Sequence, residues 1–185
     1  MKTDNRGFTL IEMLVCLVIF AIVVGAAYGF MMTGALSFNR INNNVDLQIK
    51  SDITMNQLSK YLMNCSAGVS FKNNTLFVVN EDASAGSDGK TGYTAKIFQL
   101  KDDHCIYFVS VPAVMESDGS FSCVYTASDL LAKNTQSLNI SLVSNTDGAS
   151  VVSAKIEAVF SYAGNSLTSG RTVALRNHPL LVTIS

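Results

Sequence analysis

FTLIEMLVCLVIFAIVVGAAYGFMMTGALSF, residues 8–38, contains a single charged side chain, Glu12. As a helix these 31 residues would extend about 46 Å, against roughly 30 Å of bilayer hydrocarbon. The run is therefore longer than insertion demands, and reads as one transmembrane helix with length to spare. The residues ahead of it, MKTDNRG (1–7), carry Lys2 and Arg6. Positive charge there keeps the N-terminus cytoplasmic and sends the rest of the chain, beyond the apolar run, across the membrane.

Beyond Arg40 the composition becomes ordinary, rich in Asn, Ser, Thr and Gly. Ile41, Val45, Ile49 and Ile53 recur every four residues, with Leu58 and Leu62 further on. Taken as one apolar stripe, they predict that the helix continues as an amphipathic rod over residues 39–64. After Cys65 the pattern changes to short β-rich runs. Strands are expected at 75–80, 93–100, 105–111, 121–126, 137–143, 151–162, 171–176 and 180–184. Ala154, Ile156, Ala158 and Phe160 alternate as in a sheet packed on one face. The segment ASDLLAK (127–133) reads as a short helix or a loop. The expected fold is α+β: a long N-terminal helix, transmembrane then amphipathic, packed by an antiparallel β-sheet domain over 65–185 that covers the stripe.

The chain has 185 residues, enough for one modest globular domain plus an extended element. Its net charge of −1 gives no basic field, so contact with nucleic acid is unsupported by charge. Of the four cysteines, at 16, 65, 105 and 123, Cys16 falls in the apolar run. Cys105 and Cys123 lie on runs that could be adjacent strands, which makes a disulfide a candidate. Cys65 is an alternative partner for either, and free buried thiols are the other outcome. No CxxC spacing suggests zinc. Asp102, Asp103, His104 and Cys105 include ligand types, but consecutive strand residues face opposite ways, so no metal site is expected. His178, before Pro179, reads as a turn residue. The loop around Asp82, Asp88 and Gly89 lacks the spacing of a calcium loop. No nucleophile motif such as GxSxG occurs, so neither catalysis nor a cofactor is expected. Asn64, Asn73 and Asn139 head glycosylation sequons that read as chance matches.

GFTLIEMLV, residues 7–15, resembles the prepilin signature of the type IV pilin superfamily, which includes major and minor pilins and the pseudopilins of type II secretion and competence systems. The layout of leader, long helix and sheet domain is also similar. The resemblance implies cleavage by prepilin peptidase between Gly7 and Phe8, N-methylation of the new Phe8 amine, and a subunit-pairing role for Glu12. Cleavage would remove two bases and one acid, taking formal side-chain charge from −1 to −2. The implied partners are other pilin or pseudopilin subunits, the peptidase and methyltransferase, and an inner-membrane assembly platform. The implied location is the bacterial inner membrane, single-pass with the N-terminus cytoplasmic, and then a periplasmic or extracellular filament. Many members have a proline where this chain has Gly29. RTVALRN (171–177) weakly resembles the larger minor pseudopilins, whereas retention of Glu12 argues against one tip subunit of secretion filaments that lacks this acid.

Physical chemistry supports the role of Glu12 separately. A carboxylate within a transmembrane helix costs about 2.5–3.5 kcal/mol on insertion scales unless it finds a partner. A cut after Gly7 creates one, because residues 8 and 12 lie one turn apart on the same helix face. A neighbouring subunit at the right height could offer its own Phe8 amine instead, which makes the buried charge a register device. Ala21, Gly25, Gly29 and Thr33 form a small-xxx-small series suited to close helix contact, with chance enrichment as the alternative. An ordinary secretory signal cut after Ala27 is opposed by Glu12 and by apolarity continuing to Phe38; a plain single-span anchor is the third reading. The expected function is that of a structural subunit, a minor pilin or pseudopilin, with a filament-tip binding module as the alternative.

Overall fold

The computed structural model describes residues 9–82, 92–146 and 148–184. Gly7, Phe8 and residues 83–91, including Asp88 and Gly89 of the loop read as lacking calcium spacing, lie outside the described residues. The chain divides into two compact units, Met1–Asn44 and Val45–Ser185. One helix, α1 (Leu10–Met63), supplies all the described structure of the first unit beyond Thr9 and opens the second.

The strands come in the order β1 (Gly68–Lys72), β2 (Thr75–Asp82), β3 (Gly92–Leu100), β4 (Ile106–Met115), β5 (Phe121–Ser122), β6 (Asp129–Ala132), β7 (Thr135–Ser144), β8 (Val151–Tyr162), β9 (Asn165–Ala174) and β10 (Leu180–Leu181). The layout is α+β, with a mostly antiparallel sheet domain behind the helix. One sheet runs β10-β1-β2-β3-β4, with β5 and β6 both against the outer side of β4. The β10–β1 pairing is parallel, Gly68 opposite Leu180. A second sheet is the meander β7-β8-β9.

Turn chemistry explains two tight connections. Asn73 and Asn74, at φ 50° and 57°, join β1 to β2; asparagine tolerates the left-handed region that a two-residue hairpin needs. Ala163 and Gly164, at φ 51° and 81°, do the same between β8 and β9. Gly68 is required for a different reason. A Cβ there would sit 2.7 Å from Val182 Cγ1, so only glycine lets the C-terminal segment approach β1 this closely.

Within Val45–Ser185, α1 buries Leu47, Ser51, Thr54, Met55, Leu58, Ser59 and Leu62. Its apolar members join Leu76, Val78 and Phe98 of the larger sheet and Ala154, Ile156, Ala158 and Phe160 of β8 in one core. The alternation read in β8 is therefore a buried face. The opposite face of the larger sheet carries a smaller core of Phe77, Val79, Ala95 and Ile97, closed by Phe121 and Val182.

Three expectations are corrected. Within Val45–Ser185, the row Val45, Ile49 and Ile53 is not covered by the sheet: these side chains are 47%, 52% and 52% exposed. Four-residue steps rotate about 40° each, but the step from Ile53 to Leu58 is five residues and turns about 140°. The two halves of the supposed stripe thus lie on different faces, and only the second is buried. Residues 129–132 form a strand, β6, rather than a helix or loop. Strands β1 and the first half of β9 arise where no strand was expected.

Candidate functional site

The first turn of α1 is held by side chains as well as backbone. Thr9 precedes the helix, and its carbonyl accepts from the amides of Glu12 and Met13 at 3.1 and 3.2 Å. Its Oγ1 accepts from the Glu12 amide at 3.4 Å, while Glu12 Oε2 accepts from the Thr9 amide and hydroxyl at 3.5 and 3.4 Å. This reciprocal arrangement is a capping box, which satisfies donors that a helix start leaves orphaned. A carboxylate there also faces the positive end of the helix dipole. The capping signal T-L-I-E at 9–12 is present in the sequence, but reading Glu12 as a lone charge hides its local partner.

Over Leu10–Asn44 the helix presents exposed apolar side chains. It is long and apolar enough to be a candidate membrane span. Ala21, Gly25, Gly29 and Thr33 are all exposed on this helix. Cβ atoms placed on Gly25 and Gly29 would meet nothing within 4 Å. Thr33 Oγ1 donates to the Gly29 carbonyl at 2.9 Å, so its hydroxyl carries its own partner into an apolar medium. Ile53, further along, borders a groove of about 260 Å³ lined also by Leu130, Leu131 and Ala132, with Lys50 and Lys133 beside it.

The cysteines are all free thiols. Cys105 immediately precedes β4, whereas Ser122 pairs with Val114 near the far end of that strand. That register leaves Cys105 and Cys123 about eight residues apart along β4, roughly 26 Å of strand, where a disulfide needs Cα atoms within about 7 Å. The structure does not bring them together. Cys65 is no substitute partner: it is fully buried, its Sγ donating to the Gly68 carbonyl at 3.1 Å. Burial pushes this thiol up to about 12, against the opposing pull of backbone hydrogen bonds. Such a group is a packing element rather than a nucleophile.

The acidic turn after β3 is likewise structural in its contacts. Tyr107 donates to Asp103 Oδ2 at 2.6 Å, and the Cys105 amide donates to Oδ1 at 3.1 Å. The tyrosine bond holds Asp103 below the ordinary carboxylate range and pushes Tyr107 up to about 12. His104 and His178 occupy turn positions at φ 59° and 45°. Among the described residues no three His, Cys, Asp or Glu side chains converge on a point that could hold a metal ion.

Residues 2–28 match the family model for the prokaryotic N-terminal methylation motif. The chain carries a prepilin-type motif. No curated protein matches the chain. The motif, with the long apolar helix behind it, is consistent with a type IV pilin-like protein, and it implies processing by prepilin peptidase and assembly with other pilins in a membrane. It indicates a structural subunit rather than an enzyme, and the apolar helix fits an inner-membrane anchor.

Proposed function

We propose that this pilin-like chain is a minor pilin or pseudopilin, an assembly subunit whose register in a filament is set by Phe8 and Glu12. In this reading the peptidase cuts between Gly7 and Phe8, the Phe8 amine is methylated, and residues 1–7 are discarded. The precursor waits in the inner membrane with its sheet domain outside, and an assembly platform extracts it into a filament. Ala21, Gly25, Gly29 and Thr33 provide the close-contact face between helices.

The observation that carries the proposal is the placement of one carboxylate in the first turn of a helix that is otherwise apolar and exposed for more than a membrane's thickness. A cap alone does not require a charge, because glutamine closes the same box. A charge adds an insertion cost that a neutral cap would avoid. Both features together suit a group that holds its own helix end while waiting and pairs with a neighbour's amine after extraction.

Glu12→Gln and Glu12→Ala separate these duties. Membrane insertion and filament incorporation are measured for each. Insertion should survive in both, and incorporation should fall at least about ten-fold in both, the equivalent of roughly 1.4 kcal/mol of lost pairing. Full incorporation of Glu12→Gln with loss in Glu12→Ala would assign the residue to capping and end the register reading.

A further inference from the structure

We propose that the groove beside Ile53 receives the β4–β5 hairpin of a second copy of this chain, with Met115 entering the groove and Glu116 and Asp118 meeting its lysines. The groove is walled by Ile53, Leu130, Leu131 and Ala132, and its lining carries two lysines and no acid. Ile53 and Leu130 are 52% and 47% exposed, and Ile49, one turn back on α1, extends the same apolar strip. A continuous uncovered strip of this kind marks an interaction surface. Of the two lysines, Lys50 already pairs with Asp46 at 2.7 Å. Lys133 is exposed and pairs with no carboxylate among the described residues.

The hairpin carries the opposite set. Val114 and Met115 are exposed, and Glu116-Ser117-Asp118 follow directly. The turn is closed by the Glu116 amide, which donates to the Ser120 carbonyl at 2.9 Å. Asp118 Oδ1 accepts from the Ser120 amide and hydroxyl at 2.9 and 2.6 Å, and Glu116 accepts from the Ser122 hydroxyl. The Ser120 bonds, the hydroxyl first, hold Asp118 below the ordinary carboxylate range. Neither acid meets a cation among the described residues. Val124, Val143, Tyr162, Leu180 and Leu181 are exposed as well, but none has an acid within three positions in sequence. Outside the helix and the groove itself, the hairpin is therefore the described apolar projection whose charge is complementary to the groove.

One copy cannot close this contact on itself. Leu130 lies opposite Tyr107, and Met115 is eight residues further along β4, roughly 26 Å of strand. The two surfaces are different parts of one chain, so the contact between copies is head-to-tail and leaves a free hairpin and a free groove at the two ends. Such a contact propagates into an open array unless its rotation closes a ring. The inference deepens the reading of the chain as an assembly subunit and rests on it for the choice of a second copy as partner.

The test uses the full chain in detergent micelles, where self-association is measured by sedimentation equilibrium without filament assembly and without any pairing of Phe8 and Glu12. Lys133→Glu gives the groove the sign of the hairpin. Glu116→Lys combined with Asp118→Asn gives the hairpin the sign of the groove, and the asparagine keeps an oxygen for Ser120. Each of these variants alone should self-associate about ten-fold or more weakly than wild type. An equimolar mixture of the two should recover to within about three-fold of wild type, because the reversed hairpin fits the reversed groove. Met115→Ser should weaken association by about five-fold or more with every charge in place. Unchanged association in any of the three variants, or a mixture no stronger than its components, overturns the proposal. A wild-type chain that does not self-associate at the highest concentration reached also overturns it, and leaves the groove to a different protein.

Discussion

One helix meets two different demands along its length. Over Leu10–Asn44 apolar side chains such as Leu17, Phe20, Phe30 and Phe38 are all well exposed. Over Val45–Met63 the helix has two faces: Leu47, Met55, Leu58 and Leu62 are buried, while Val45, Ile49 and Ile53 remain about half exposed. Apolar surface left uncovered by the chain's own fold needs an external partner, lipid or protein. In the first stretch the length and hydropathy name the lipid bilayer as a sufficient partner. In the second, an exposed isoleucine row stands on a helix whose stability already comes from the other face. The same residue types thus do opposite jobs, and their position on the helix wheel, not their hydrophobicity, decides which.

The largest effect expected comes from setting the two faces against each other. Leu58→Ala empties a fully buried site and should destabilise the sheet unit by about 2–5 kcal/mol. Ile49→Ala, about two and a half turns away on the other face, should change stability by no more than about 0.5 kcal/mol. Urea unfolding of the full chain in detergent, followed by near-ultraviolet circular dichroism, reads both. A comparable loss in Ile49→Ala would mean the row is packed in the isolated subunit, and the contrast between the faces would collapse.

A second contrast lies at the junction where the helix passes into the sheet. Cys65 is buried among apolar groups, and its thiol rises from an ordinary 9.0 to about 12 on folding. Below 9.0 both folded and unfolded forms keep the proton, so the benefit of burial is fully present. As pH rises between the two values the unfolded chain loses its proton first, and stability falls. The loss should reach about 1.4 kcal/mol near about pH 10, one unit above the unfolded value. Comparing wild type with Cys65→Ala between about pH 8 and about pH 10 isolates this slope from those of tyrosine and lysine. Equal slopes in the two proteins would show that Cys65 is accessible to water at the junction.

How much of this is legible in sequence depends on whether the signal is local. The run from Phe8 to Phe38 and the alternation from Ala154 to Phe160 are short-range patterns, and the described part of each has the structure its pattern predicts. The β1–β2 hairpin escapes a sequence reading because its turn is Asn73-Asn74 rather than a glycine pair. The first half of β9, NSLTSG, escapes because an edge strand paired on one side needs few apolar residues. Strand β6 depends on a bulged pairing with β4 that no local pattern of Asp129–Ala132 announces. Cys105 and Cys123 look like neighbours in sequence because a turn lies between them. Yet Phe121 and Ser122 pair along β4 with Met115 and Val114, at the end of that strand far from Cys105, and Cys123–Ser128 run on outside any strand. The helix face is misread at one five-residue step. In the motif, Glu12 stands out by its charge, while Thr9, which caps it, passes for an ordinary residue in an apolar run.

That cap supplies the finest test of the difference between the two ends of α1. Leu58 works through packing, so its loss is felt through a core. Thr9 works through hydrogen bonds at a single helix end. Thr9→Ala removes the hydroxyl that accepts from the Glu12 amide and donates to its carboxylate. Loss of such a cap costs about 0.5–2 kcal/mol, spent on the first turn alone. Amide exchange of Ile11, Glu12 and Met13 in detergent micelles should accelerate accordingly, while residues beyond the second turn keep their rates. The charge of Glu12 is untouched by this change, so filament incorporation should fall far less than in Glu12→Gln. If the two variants lose incorporation equally, the neighbour must recognise the closed turn rather than the carboxylate, and the register would be set by helix geometry instead of charge.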